Sequence, residues 1–266
     1  MKALVLFYEG AHDQWFLYRI LILLKFKHLS PVIKEMIYPL NEYVSNTIRD
    51  HPNDELKVEQ LRPAVPMLMI RADQNQLVVL YSMDGNTDFR NVKRTINVFS
   101  AYQRSVHMDK RKTSKVESFS FMFFTDADEK GVEYQVNRFK SNLSSSLDGL
   151  DELQHNLIFR NSTFSIGCYI FSHPNGFGNL EDITLPLFEE GYELMFQEVK
   201  EFLRKHGNLN DKLEKKATLG VVGQLENPGA SNAVHIQKSI LLTEDKLKAH
   251  LQSQEIISLL ERILND

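Results

Sequence analysis

The chain has a single cysteine, Cys168, in 266 residues, so an internal disulfide is excluded and no Cys-based metal cluster can form. It has no GxxxxGK[ST] run and therefore no Walker-type phosphate loop of its own. It has no membrane-length apolar run either, because the most apolar stretch, 17–26, is interrupted by Arg19 and Lys25. The opening apolar run, 3–8, stops abruptly at Glu9 and is too short for a signal peptide, so a cytoplasmic chain with no membrane partner is expected. Nor is there an excess of positive charge. A formal net charge of −4 offers no global attraction to nucleic acid or to an anionic surface, so any phosphate-binding face has to be a local patch. What remains is a globular composition, 42% apolar, of a length that suits one or two domains.

Residues 118–131, SFSFMFFTDADEKG, join a continuous apolar run to two carboxylates. The run 119–124 reads as a buried strand whose end presents Asp126 and Asp128, and Val132, Val136, Phe139 and Leu143 form one face of a following helix. In open parallel sheets ligands collect beyond the carboxyl ends of the strands. Two acids at i and i+2 of an extended chain project to one side, which suits a hard cation such as Mg²⁺. An isolated Asp-x-Asp also serves to solvate a turn and cap a helix. The N-terminus repeats this grammar. A strand at 3–8 ends in Glu9 and Gly10, and Phe16, Ile20, Leu23 and Leu24 mark a helix that Asp13 can cap. Glu9, at the end of an otherwise apolar strand, is badly placed unless it points into a cleft.

Pro31 and the apolar positions Val32, Met36, Leu40 and Val44 suggest a helix, 50–55 reads as a polar turn, and Pro63 and Pro66 mark an extended connection. A strand at 77–82, a turn at 83–86 containing Asp84, and a helix with Phe89, Val92, Ile96 and Phe99 follow. Arg104, Lys110, Arg111, Lys112 and Lys115, with His107 among them, are either phosphate contacts or a solvated loop. A strand at 165–171 leads to a lip of His173, Pro174, Asn175, Gly176 and Gly178, expected to be flexible, before a helix over 187–203 that Asn179 or Glu181 can initiate. Lys212, Lys215 and Lys216 suit either stabilisation of phosphoryl charge or the basic end of a helix. The segment 223–238 reads as a loop able to close over a substrate, and Thr243 caps a last helix with Leu247, Leu251, Ile257, Leu260 and Ile263 on its apolar side.

A strand ending in Glu9 and Gly10 with Asp13 three residues on, followed much later by a strand ending in Asp126-x-Asp128, resembles the topoisomerase-primase, or Toprim, family. The segment 166–186, IGCYIFSHPNGFGNLEDITLP, is similar to a region of Toprim-like proteins related to the overcoming-lysogenisation-defect nucleases and to uncharacterised bacterial families. The resemblance spans residues 1–26 and 77–220. It implies an α/β, Rossmann-like Toprim fold with a central, mostly parallel sheet flanked by helices. The catalytic domain is then 1–220, with 28–76 as a helical insertion after the first helix, and 221–266 as a C-terminal loop and helical extension packed on the same domain.

The resemblance also implies a metal-dependent nuclease. Asp126 and Asp128 hold Mg²⁺ or Mn²⁺, and Glu9 binds metal or acts as general acid/base. Glu181, with Asp182 second, supplies a further metal ligand, and Lys216 stabilises charge, with Lys212 and Lys215 as rivals for that role. Nucleic acid, DNA or RNA, is the implied substrate. The implied setting is antiviral defence under a separate ATPase, since the related nucleases carry an ATPase in the same chain and this one has no such motif. A homodimer through the last helix is compatible with the pattern. A phosphoryl- or glycosyl-transferase using the Asp-x-Asp metal, and a non-catalytic Toprim-like binding or scaffold module, are the competing expectations.

Overall fold

The central strands are apolar on both faces, so helices have to cover both sides of the sheet. The computed structural model describes residues 1–49, 66–83, 85, 89–105 and 115–266. The turn expected at 50–55, Pro63, Asp84, His107 and the cations Lys110, Arg111 and Lys112 lie outside the described residues. The strands are β1 (Lys2–Tyr8), β2 (Lys27–Leu29), β3 (Met67–Arg71), β4 (Gln76–Ser82), β5 (Ser118–Asp126), β6 (Ile158–Arg160) and β7 (Ser165–Phe171). The helices are α1 (Ala11–Leu23), α2 (Leu40–Arg49), α3 (Arg90–Ser105), α4 (Val132–Leu143), α5 (Leu180–Glu189), α6 (Glu193–His206), α7 (Asp211–Glu226), α8 (Asn232–Lys238), α9 (Glu244–Ala249) and α10 (Leu251–Asn265). Among the described residues no helix is long and apolar enough to cross a membrane.

One seven-stranded sheet runs in the order β2-β3-β4-β1-β5-β7-β6. Its middle, β4-β1-β5-β7, is parallel, and β2, β3 and β6 are antiparallel edges. Alternation along β1 divides the core. Leu4, Leu6 and Tyr8 join residues of α1, α5, α6, α7, α8 and α10 on one face. Ala3, Val5 and Phe7 join α2, α3 and α4 on the other. Thus the helix after β1 and the helix after β5 lie on opposite faces, and the connection order reverses between these two neighbouring strands.

The second face is held by aromatic rings. Phe7 stacks on Phe123 with centroids 5.2 Å apart and planes 9° from parallel. Phe99 stacks on Phe119 at 4.7 Å.

Several local expectations are corrected. In the insertion the helix does not begin near Pro31: Val32 is 55% exposed, a 3₁₀ turn occupies Ile33–Glu35, and α2 starts only after Pro39. Proline has no N–H to continue a helix from upstream but is well suited to opening one. The insertion also adds two strands, β2 and β3, to the sheet edge. The helix expected over 187–203 is two helices, broken after Glu189, where Gly191 takes φ +82°. Thr243 caps as expected, accepting from the Lys246 N–H, but the last helix is likewise two, α9 and α10, with extended backbone at His250.

Segment 223–238 is not a loop over its length. α7 runs through residue 220, the expected boundary, to Glu226, and α8 packs back on it. A Cβ at Gly223 would lie 2.0 Å from Cδ2 of His235, a buried ring. Glycine here makes room for a close helix contact. Leu241, Leu259 and Leu260 share a core with Leu4 and Leu6, so the C-terminal segment packs on the main sheet.

Phe7→Ala removes a fully buried ring from the middle of the aromatic layer and is expected to cost about 3–5 kcal/mol of stability. Urea unfolding followed by circular dichroism measures this, and a loss below about 1 kcal/mol would show that the layer repacks freely.

Candidate functional site

The order reversal opens a crevice beyond the carboxyl ends of β1 and β5, the place where open α/β sheets bind ligands. Glu9 leaves β1 there, and Asp126 is the last residue of β5. Glu9 Oε2 accepts a 2.7 Å hydrogen bond from Thr125 Oγ1, which ties the two strand ends together. Two helix N-termini converge on the same point. The Leu180 N–H at the start of α5 donates to Asp126 Oδ1 at 2.9 Å. The Asp13 carboxylate, in the first turn of α1, accepts from the N–H groups of Glu9 and Gly10, both at 3.0 Å.

The two helix starts are built alike. Gly10-Ala11-His12-Asp13 and Asn179-Leu180-Glu181-Asp182 each run cap, apolar, polar, aspartate. Asp182 Oδ2 accepts from the Asn179 N–H at 2.8 Å, as Asp13 does from Gly10. The residues between them meet: His12 Nδ1 lies 3.0 Å from Glu181 Oε1, and Glu181 is 3% exposed. Burial alone would raise the Glu181 pKa, but the His12 hydrogen bond and the Lys216 charge outweigh it and hold the group below the usual carboxylate range. An ionised carboxylate only accepts, so the ring donates from Nδ1, leaving Nε2 as the acceptor whenever the ring is neutral.

Residues Glu9, Asp13, Asp126 and Glu181 lie within one another's field. Burial, then the charges of Asp13, Glu9 and Glu181, push Asp126 well above the usual carboxylate range against the opposing Leu180 N–H. Asp13 is pushed up to about 7, by burial first, and then by Glu9 and Glu181 against two backbone donors. Like charges gathered out of water cannot all stay ionised without a compensating cation.

Asp128 does not project beside Asp126 as an extended Asp-x-Asp would. It takes φ 49°, and its N–H and C=O pair with Gly178, so the chain has already left the strand. Its carboxylate is 2.5 Å from Lys212 Nζ. Asp182 Oδ1 is 2.7 Å from Lys215 Nζ, and Lys216 Nζ is 3.8 Å from Glu181 Oε1. Positions 212, 215 and 216 fall on one side of α7, so this helix hands one lysine to each of three acids. The structure therefore divides the expected ligand set. Glu9, Asp126 and Glu181 lie within one another's electrostatic field at the crevice, and Asp128 and Asp182 are engaged by Lys212 and Lys215. Among the described residues no three His, Cys, Asp or Glu side chains are close enough to hold one ion together.

The Pro/Gly lip is stitched rather than loose. His173 N–H donates to Phe177 C=O, Gly176 N–H to His173 C=O, and Val132 N–H to Gly176 C=O. Gly178 has φ +109°, and a Cβ there would come within 2.3 Å of the Asp182 carboxylate. The lip, α4 and the start of α7 border an open cleft of about 990 Å³ containing Lys130, Tyr134, Arg138 and Phe177. His12, and Asp13 in any role beyond capping, are absent from the residues singled out by sequence. Their signal was the repeated four-residue pattern at the two helix starts.

Because folded Asp13 keeps its proton up to about 7 while the unfolded chain loses it near the ordinary value, its stabilising contribution is full at low pH and is lost as pH rises through about 7. Without added divalent cation, the wild-type urea midpoint is expected to fall between about pH 4 and about pH 7 and to level off above that, with a smaller fall in Asp13→Asn. An equal fall in both proteins would show that Asp13 does not carry the pH dependence.

No curated protein matches the chain. The crystal structure of hypothetical protein PH0156 from Pyrococcus horikoshii OT3 is similar in fold, with TM-score 0.51 and 15% identity over 99% of this chain and 95% of that one. The family described as "Protein of unknown function (DUF3226)" matches residues 4–264, from the first strand to the end of α10. The chain belongs to the DUF3226 family.

Proposed function

We propose that the protein is a metal-dependent phosphodiesterase acting on nucleic acid, a nuclease of Toprim type. The observation that carries the reading is the placement of Glu9 and Asp126 at the ends of adjacent parallel strands, at the order reversal and near a cleft lined by cations and acids alike. Mg²⁺ is commonly held by one or two carboxylates, with water and substrate phosphate completing the shell. Glu9 and Asp126 fit that requirement as a hard-oxygen pair. Asp126 is a carboxyl whose pKa is raised first by burial and then by its acidic neighbours, a group whose ionised form a cation would favour. Mg²⁺ or Mn²⁺ at this pair would supply Lewis-acid polarisation of a phosphate and a more acidic water.

The chain's own residues do the rest. Glu181 orients His12, whose free ring nitrogen can take or give a proton at the crevice. Lys216, whose contact with Glu181 is the longest of the three α7 ion pairs with these acids, is the lysine proposed to stabilise charge on phosphoryl oxygens, in preference to Lys212 and Lys215. Asp128 and Asp182 hold those two lysines in place rather than binding metal in this arrangement. The same ion pairs favour a second reading, a non-catalytic Toprim-like binding module, because two of the acids are already neutralised.

The test is cleavage of supercoiled DNA, linear DNA and transfer RNA by the wild type and Asp126→Asn, with Mg²⁺ or Mn²⁺. Cation-dependent cleavage reduced by at least about 100-fold in the variant is expected. If the wild type binds the cation but cuts none of these substrates, activation by a separate ATPase or a transferase reaction takes over. If it neither cuts nor binds a cation, the binding-module reading stands.

A further inference from the structure

We propose that the cleft beside the carboxylates binds an unpaired nucleotide, its base against Tyr134 and Phe177 and its phosphate on Lys130 and Arg138. The proposal rests on the nuclease reading above and specifies the form of its substrate. Three observations lead to it.

Tyr134 on α4 and Phe177 on the lip border the same cleft, and they are 45% and 49% exposed. Both rings are held. Lys130 Nζ lies 4.7 Å from the Tyr134 ring centroid and donates to its hydroxyl at 3.3 Å. Phe177 is carried by the hydrogen-bonded lip, with Asn175 Oδ1 accepting from its own N–H at 3.0 Å. Rings fixed in this way offer stacking area with little ordering cost on binding.

Cations line the same cleft. Lys130 shares the Tyr134 position, and the Arg138 guanidinium, one turn further along α4, lies 5.0 Å from the Phe89 ring centroid. With Lys212 and Lys215 held by Asp128 and Asp182, Lys130 and Arg138 are the cations this mixed-charge lining offers to a phosphate.

Third, Asn179 borders the cleft and is 4% exposed, and its side-chain oxygen is buried without a hydrogen-bond partner among the described residues. A buried amide oxygen left unpaired is costly, and a base amino group or a ribose hydroxyl that displaces the side chain's cover would satisfy it. In a duplex the base faces are covered by their neighbours and the amino edges are largely paired. Stacking on protein rings therefore selects an unpaired nucleotide, either free or within a single strand.

The test uses fluorescence anisotropy in EDTA, so that binding is read without cleavage. The probes are a labelled single strand of about twelve nucleotides, its duplex, and adenosine monophosphate as competitor. The single strand is expected to bind better than the duplex. Phe177→Ala and Tyr134→Ala should each weaken it roughly 5- to 150-fold, whereas Phe177→Tyr and Tyr134→Phe should retain affinity.

Competition by adenosine monophosphate with the same ring dependence would assign the site to a free nucleotide, and its absence would assign the site to a strand. Either result supports the proposal. Equal binding of duplex and single strand, unchanged affinity in both alanine variants, or no binding of any probe would overturn it. Asp126→Asn, assayed in parallel, keeps the two ideas apart, because a failed nuclease reading leaves ring-dependent binding without cleavage.

Discussion

Repulsion among carboxylates held out of water is the constraint around which this end of the molecule is arranged. Glu9, Asp13, Asp126 and Glu181 come from two strand ends and two helix starts, and each raises the energy of its neighbours' ionised forms. The fold answers with every donor it can bring there. Backbone N–H groups from both helix starts, the Thr125 hydroxyl, the His12 ring and the Lys216 ammonium all face the cluster. Donors of this kind lower the repulsion without abolishing it, which leaves the site with a standing preference for added positive charge.

The sheet makes such an arrangement tolerable. Its parallel middle is apolar on both faces and covered by helices on both, so the strand ends are held rigidly enough to keep acids in proximity. α7 then separates two kinds of acid. Asp128 and Asp182, beyond the strand end, pair directly with Lys212 and Lys215, while Lys216 stands beside Glu181 and the charges of Lys212 and Arg138 reach Glu9 and Asp126 from further off. Direct ion pairs at one place and longer-range counter-charge at the other set the two kinds of acid apart.

Much of this was legible in the sequence where the physics is local. The runs 3–8 and 165–171 are strands because they are apolar throughout, and Val132, Val136, Phe139 and Leu143 lie on one face of a helix because their spacing is helical. An acid at the end of such a strand announces a crevice, which is how Glu9 and Asp126 were found. The short edges β2 and β6 have three residues each, too few for periodicity to register. Asp128 was misplaced because a left-handed residue after a strand leaves no mark in an Asp-x-Asp pattern. The pairing of His12 with Glu181 joins residues 169 positions apart, and only the tertiary fold brings them together. Segment 223–238 reads as a loop from its Gly, Asn and Ser content, since glycine ordinarily weakens a helix, whereas here Gly223 admits another helix.

That glycine bears on the chemistry at a distance. The seating of His235 against Gly223 sets how closely α8 approaches α7, and α8 in turn lies along α1, where Arg19 binds the carbonyls of Gln237 and Ser239. Lys216 stands two helical turns back from Gly223, about 10 Å along the same rigid axis. The backbone-to-ring contact thus works as a fulcrum. The angle at which α7 leans over the sheet, and with it the reach of three ammonium groups toward three acids, depends on a contact that touches none of them.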